Sequence, residues 1–89
     1  MTVKFKDKQT LTIITLTLID KLVDKDNMPR LPLELVSISE RDLVILKQIL
    51  PNSELVQKIT NTSRVSKYGF NATVAEVQEL IKEINSERN

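Results

Sequence analysis

The sequence predicts a mostly α-helical protein, a small bundle of about four helices with short extended segments near residues 3–5 and 35–38. Three observations predict it. Leu, Ile and Val recur at helical spacing in three separate stretches. A capping-box tetrapeptide, Thr73-Val74-Ala75-Glu76, opens the last of them. The chain is 40% hydrophobic, yet Phe5, Tyr68 and Phe70 are its whole aromatic complement, so the core must be aliphatic. At 89 residues the chain makes one domain, 1–89, close to the size at which a core barely sustains itself. A homo-oligomeric interface is then a natural source of extra stability.

Residues 2–6 alternate, with Val3 and Phe5 on one side and Lys4 and Lys6 on the other, as in a short strand or extended arm. In the following Gln9–Asp26 stretch, threonine alternation and β-branched residues suit a strand. Leu11, Ile14, Leu18 and Leu22 nevertheless fall on one helical face, with Thr17, Asp20 and Asp24 opposite, and the length exceeds a typical strand. A helix is expected there, stopped by Met28-Pro29-Arg30-Leu31-Pro32 because each proline restricts the residue before it. Leu33–Ser37 alternates weakly and reads as extended. Ser39 can cap a helix whose first turn carries Glu40 and Asp42 and whose apolar face is Leu43, Leu46 and Leu50. After Pro51, Asn52 or Ser53 can cap a shorter helix bearing Leu55, Val56 and Ile59. Thr60–Ala72, with the single glycine, is the longest connector. In the final helix Val74, Val77, Ile81 and Ile84, joined by Leu80, make one apolar stripe.

Inventory restricts the chemistry. Without His or Cys there is no imidazole base, thiol nucleophile, disulfide or thiolate zinc site, and one glycine cannot build a phosphate loop. A Ser–Lys dyad at Ser63–Lys67 lacks its framing glycines, and a polar loop accounts for the same residues. Asp20, Asp24 and Asp26 cluster, but Lys21 and Lys25 are interleaved with them, so a solvated surface is the expected reading over a divalent-ion site. No catalytic residues, cofactor or metal are expected. Leu11–Ile19 behind Lys4, Lys6 and Lys8 has the outline of a leader, but Thr12, Thr15 and Thr17 interrupt it and no small-residue cleavage site follows. The stretch is also too short for a membrane span. A cytoplasmic protein is expected, with no membrane partner.

Between Ile38 and Lys67 the runs Ser39-Glu40-Arg41-Asp42, Ser53-Glu54-Leu55-Val56 and Ser63-Arg64-Val65-Ser66-Lys67 resemble helix-turn-helix DNA-binding domains. The likeness is to response-regulator effector domains and the Trp repressor. It implies a scaffold helix, a Glu-Leu helix, a turn, then a recognition helix ending near Lys67. Lys58, Arg64, Ser66 and Lys67, with Ser63, would face DNA, Val65 would be buried, and the last helix would dimerise. The net charge is only +1, with thirteen Lys and Arg against twelve Asp and Glu. Such a balance lacks the basic excess usual in nucleic-acid binders.

The expected role is therefore a non-catalytic protein-interaction or assembly protein, homo-oligomeric through Val74, Val77, Leu80, Ile81 and Ile84, with another protein as the alternative partner. Its Lys-, Asn- and Ile-rich character suits a phage or mobile-element origin. The competing role is a helix-turn-helix regulator using residues 53–67.

Overall fold

A computed structural model describes residues 8–88, so the extended arm expected at 3–5 lies outside the described residues. The elements run α1 (Lys8–Asp20), β1 (Leu35–Ile38), α2 (Glu40–Ile49), α3 (Glu54–Ile59), β2 (Val65–Ser66), β3 (Gly69–Thr73) and α4 (Val74–Arg88). A 3-10 turn, Thr62–Arg64, leads from α3 into β2. The mostly helical character is as expected, but the helices share their core with a three-stranded antiparallel sheet ordered β1-β3-β2. The fold is thus not a plain bundle.

Helix starts sit where side chains can accept the unpaired first-turn amides. Ser39 Oγ accepts from the Asp42 N–H at 3.1 Å, and Ser53 Oγ accepts from the Val56 N–H at 3.2 Å. The box at α4 closes in both directions. The Thr73 N–H donates to Glu76 Oε1 at 3.0 Å, and the Glu76 N–H donates to Thr73 Oγ1 at 3.1 Å.

α1 is shorter than the expected 9–26. Tight turns close its end, the Lys21 N–H donating to Leu18 and the Leu22 N–H to Ile19. Asp24 then organises a loop: its Oδ1 accepts the N–H groups of Asp26 and Met28 at 2.9 and 3.0 Å. Asn27 takes the left-handed conformation (φ 62°), and Val23 bridges Pro29. Short polar side chains that bond their own backbone compete with helix, and Asp24 does so here.

The largest departure is the stretch read as a connector. Residues 65–73 form a hairpin whose second strand pairs with β1, Val36 opposite Ala72 and Ile38 opposite Phe70. Gly69 makes this possible. At φ 142°, a Cβ placed there would stand 2.2 Å from the Ile38 carbonyl oxygen, so only glycine lets β1 and the hairpin approach this closely. Val36, Ile38, Phe70 and Ala72 line the sheet face that joins the core, while Ser37 Oγ and Ser66 Oγ meet at 3.3 Å among the alternate, more polar positions.

The core unites Leu11, Ile14 and Leu18 of α1, Ile38 of β1, Leu43, Leu46 and Ile49 of α2, Val56 and Ile59 of α3, Ala72 of β3, and Val77, Leu80 and Ile84 of α4. α1 and α4 pack along each other. Fully burying each such aliphatic side chain contributes about 1.5–3 kcal/mol before the entropy of ordering is charged against it.

Candidate functional site

Two surfaces were expected, and the folded chain treats them differently. The α4 stripe is spent internally. Val74, Val77, Leu80 and Ile84 are at most 1% exposed and Ile81 is half-buried against the core. α4 is covered because α1 lies on the face that would have met a partner, so an oligomeric contact through Val74, Val77, Leu80 and Ile84 would have to unseat α1.

The exposed aliphatic side chains stand elsewhere. α1 is apolar on two sides: Leu11, Ile14 and Leu18 point inward, while Ile13, Leu16 and Ile19 are 56, 59 and 45% exposed. An aliphatic face left exposed on a helix whose other face is already buried is a candidate contact surface. A second exposed row, Leu31, Leu33 and Leu35, lies on the extended chain entering β1. That stretch is tied down at Pro32 and Glu34, whose carbonyls accept the Ala75 and Val74 N–H groups.

The segment expected to touch DNA is only partly available. α2 and α3 do pack against each other across a short connector, and the β2–β3 hairpin follows them. Residues 63–67 are not a recognition helix, however. They are the end of a 3-10 turn and a strand, and Val65, expected to be buried, is 58% exposed. β-branched Val65 and the turn leading to Gly69 favour extension, and pairing with β3 supplies the hydrogen bonds a helix would have made.

Arg64 is held by its own chain. Its guanidinium grips the Glu76 carboxylate at 2.7 and 3.1 Å and reaches the Asn71 carbonyl at 3.4 Å. Burial alone would raise the Glu76 carboxyl, but the Arg64 hydrogen bond, the Thr73 amide and the charges of Arg64 and Lys58 outweigh it, leaving the pKa below the ordinary carboxylate value. Ser66 is half-buried and meets Ser37. Lys58 and Lys67 are exposed, as is Ser63; the Lys67 ammonium lies 5.6 Å from the Tyr68 ring centre at the hairpin tip.

A groove of about 640 Å³ opens between the 20–30 loop and the outer edge of β1, bordered by Asp20, Lys21, Asp24, Lys25, Arg30 and Val36 among others. Asp24 and Arg30 are engaged in shaping that loop, the latter through Nε to the Val23 carbonyl. Among the described residues no three His, Cys, Asp or Glu side chains converge as metal ligands, and no helix is long and apolar enough to cross a membrane. The Arg64–Glu76 pair was not foreseen as structural. The signal was present, since Glu76 was already recognised in the capping box and a carboxylate has a second oxygen to offer. Comparison with known proteins adds no relative: no family model, no curated protein and no solved structure matches the chain.

Proposed function

We propose that this is a non-catalytic protein-interaction protein that assembles with copies of itself, and that the outer face of α1, not α4, makes the contact. One observation carries this: Ile13, Leu16 and Ile19 form an exposed aliphatic stripe on a helix whose other face is already core. The absence of His and Cys supports the non-catalytic part. A phage or mobile-element source rests on composition alone.

The test is sedimentation of the purified protein at about 0.1 mM, a concentration suited to the modest interface one short helix offers. A species heavier than the monomer is expected, and Leu16→Glu should return it to monomer mass with unchanged circular dichroism. A wild-type protein that sediments as a monomer would overturn the proposal.

A second reading, a DNA-binding regulator, is favoured by the α2–α3 pair with a β-hairpin beside it and the exposed Lys58 and Lys67. It predicts binding to duplex DNA that weakens steeply with salt and is lost in a Lys58→Ala, Lys67→Ala double variant. Titration of labelled duplex DNA at two salt concentrations decides it.

A further inference from the structure

We infer that two copies pair through α1 in antiparallel orientation, about a twofold axis passing at Leu16. This rests on the self-assembly reading above and adds to it the orientation, the axis and the partner's identity as a second copy of this chain.

The first support is the pattern around Leu16. A twofold-symmetric contact requires a surface that complements itself. Three residues to either side of Leu16 stand Ile13 and Ile19, and four to either side stand Thr12 and Asp20, all exposed. The residues two to either side, Ile14 and Leu18, are buried in the chain's own core. Stepping out from Leu16 in either direction therefore meets the same order: inward apolar, outward apolar, outward polar. An antiparallel copy reads that order from the other end, so that Ile13 of one copy meets Ile19 of the other and apolar positions face apolar ones.

Charge supplies the second support. The first turn of α1 carries Lys8 and no acidic residue, and its last turn carries Asp20 and no basic one. That is the reverse of what the helix's own dipole favours, cations being stabilised at the C-terminal end and anions at the N-terminal end. An antiparallel neighbour turns the Lys8 end of one helix toward the Asp20 end of the other. With the axis at Leu16, Asp20 lies opposite Thr12 of the second copy, and Lys8 stands four residues, about 6 Å along the helix, beyond it. Each charge then lies near the helix end of opposite sign. A parallel neighbour would set Lys8 beside Lys8 and Asp20 beside Asp20. Lys21, just beyond the helix, is half-buried beside the adjoining groove.

The chain has no cysteine, so single introduced cysteines report the geometry without background. At an interaxial distance of about 8–10 Å, residues on the axis come within disulfide reach of their symmetry mates. Gln9, exposed seven positions before Leu16, would lie about 21 Å from its mate in the antiparallel pair, at about 1.5 Å of rise per residue. In a parallel pair the two Gln9 positions would face each other.

The experiment oxidises Leu16→Cys and Gln9→Cys separately at about 0.1 mM, reads covalent dimer on non-reducing gels, and sediments the wild-type and both reduced variants alongside. The expected result is near-complete dimer for Leu16→Cys and at least tenfold less for Gln9→Cys. Dimer in the Gln9→Cys protein would overturn the antiparallel arrangement. So would failure of Leu16→Cys to cross-link while that reduced variant sediments as a dimer; in either case the self-assembly reading stands. A wild-type monomer would overturn both.

Discussion

Breaking the Arg64–Glu76 pair tests whether Arg64 is structural in this protein. The two side chains are 26 and 18% exposed, so the pair is partly shielded from water. A solvent-exposed pair contributes about 0–1 kcal/mol, and a hydrogen bond to a charged group about 1.5–3 kcal/mol. For a two-pronged pair of intermediate exposure, Arg64→Ala should cost about 1–2 kcal/mol. Glu76→Ala removes the same contact and also the reciprocal capping bond to the Thr73 N–H, so about 2–3 kcal/mol is expected. The double variant should cost less than the sum, by a coupling of about 1 kcal/mol. Urea unfolding followed by circular dichroism at pH 7 measures all four proteins.

The sign of the pH dependence follows from Glu76. Its folded pKa is lowered by Arg64, Thr73 and Lys58 against the opposing effect of burial. The stability it contributes is therefore fully present above the ordinary carboxylate value and is lost as pH falls through the lower folded value. The coupling measured at pH 7 should fade in acid, as pH falls through the lowered folded value. A coupling under about 0.3 kcal/mol at pH 7, within the scatter of independent sites, would refute the assignment. So would one that persists undiminished in acid.

Gly69→Ala should destabilise by more than about 2 kcal/mol, because its Cβ would meet the Ile38 carbonyl and the backbone is at φ 142°; urea midpoints would show it, and a change under about 0.5 kcal/mol would contradict the close approach of β1. Leu80→Ala removes a fully buried side chain and should cost about 2–5 kcal/mol, whereas Ile13→Ala, at an exposed position, should cost the monomer under about 1 kcal/mol. Thermal melts on dilute protein compare the two. Ser39→Ala leaves the Asp42 amide uncapped and should lower stability by about 1 kcal/mol, read in the same melts.

Much of the local structure is legible in the sequence, because its causes are local. The Thr73-Glu76 box, the Ser39 and Ser53 caps and the stripes of α2 and α4 depend on residues three or four apart. The Leu35–Ile38 strand stood out as an extended stretch for the same reason. The hairpin was missed because its evidence is long-range. Ser66 and Phe70 look like connector residues until Ile38, more than thirty positions from Phe70, lies opposite it. Gly69 read as a loop marker and is in fact the point where two strands nearly touch.

The same division governs the binding surfaces. Periodicity alone determined that α1 and α4 each carry an apolar stripe, since side-chain direction on a helix follows from spacing. Tertiary packing buries both of these stripes and leaves exposed a different face of α1, Ile13, Leu16 and Ile19, which spacing alone did not single out. α4 is seated against α1, β3 and α3 and uses its aliphatic face there, while α1 lies at the margin of the core and carries apolar residues on both sides. Likewise the sequence supplied Arg64 as a cation near a candidate DNA site. The fold brought it within 2.7 Å of Glu76 and committed it to holding the hairpin against α4. Burial and pairing are properties of the whole assembly of elements, so no window of the chain contains them.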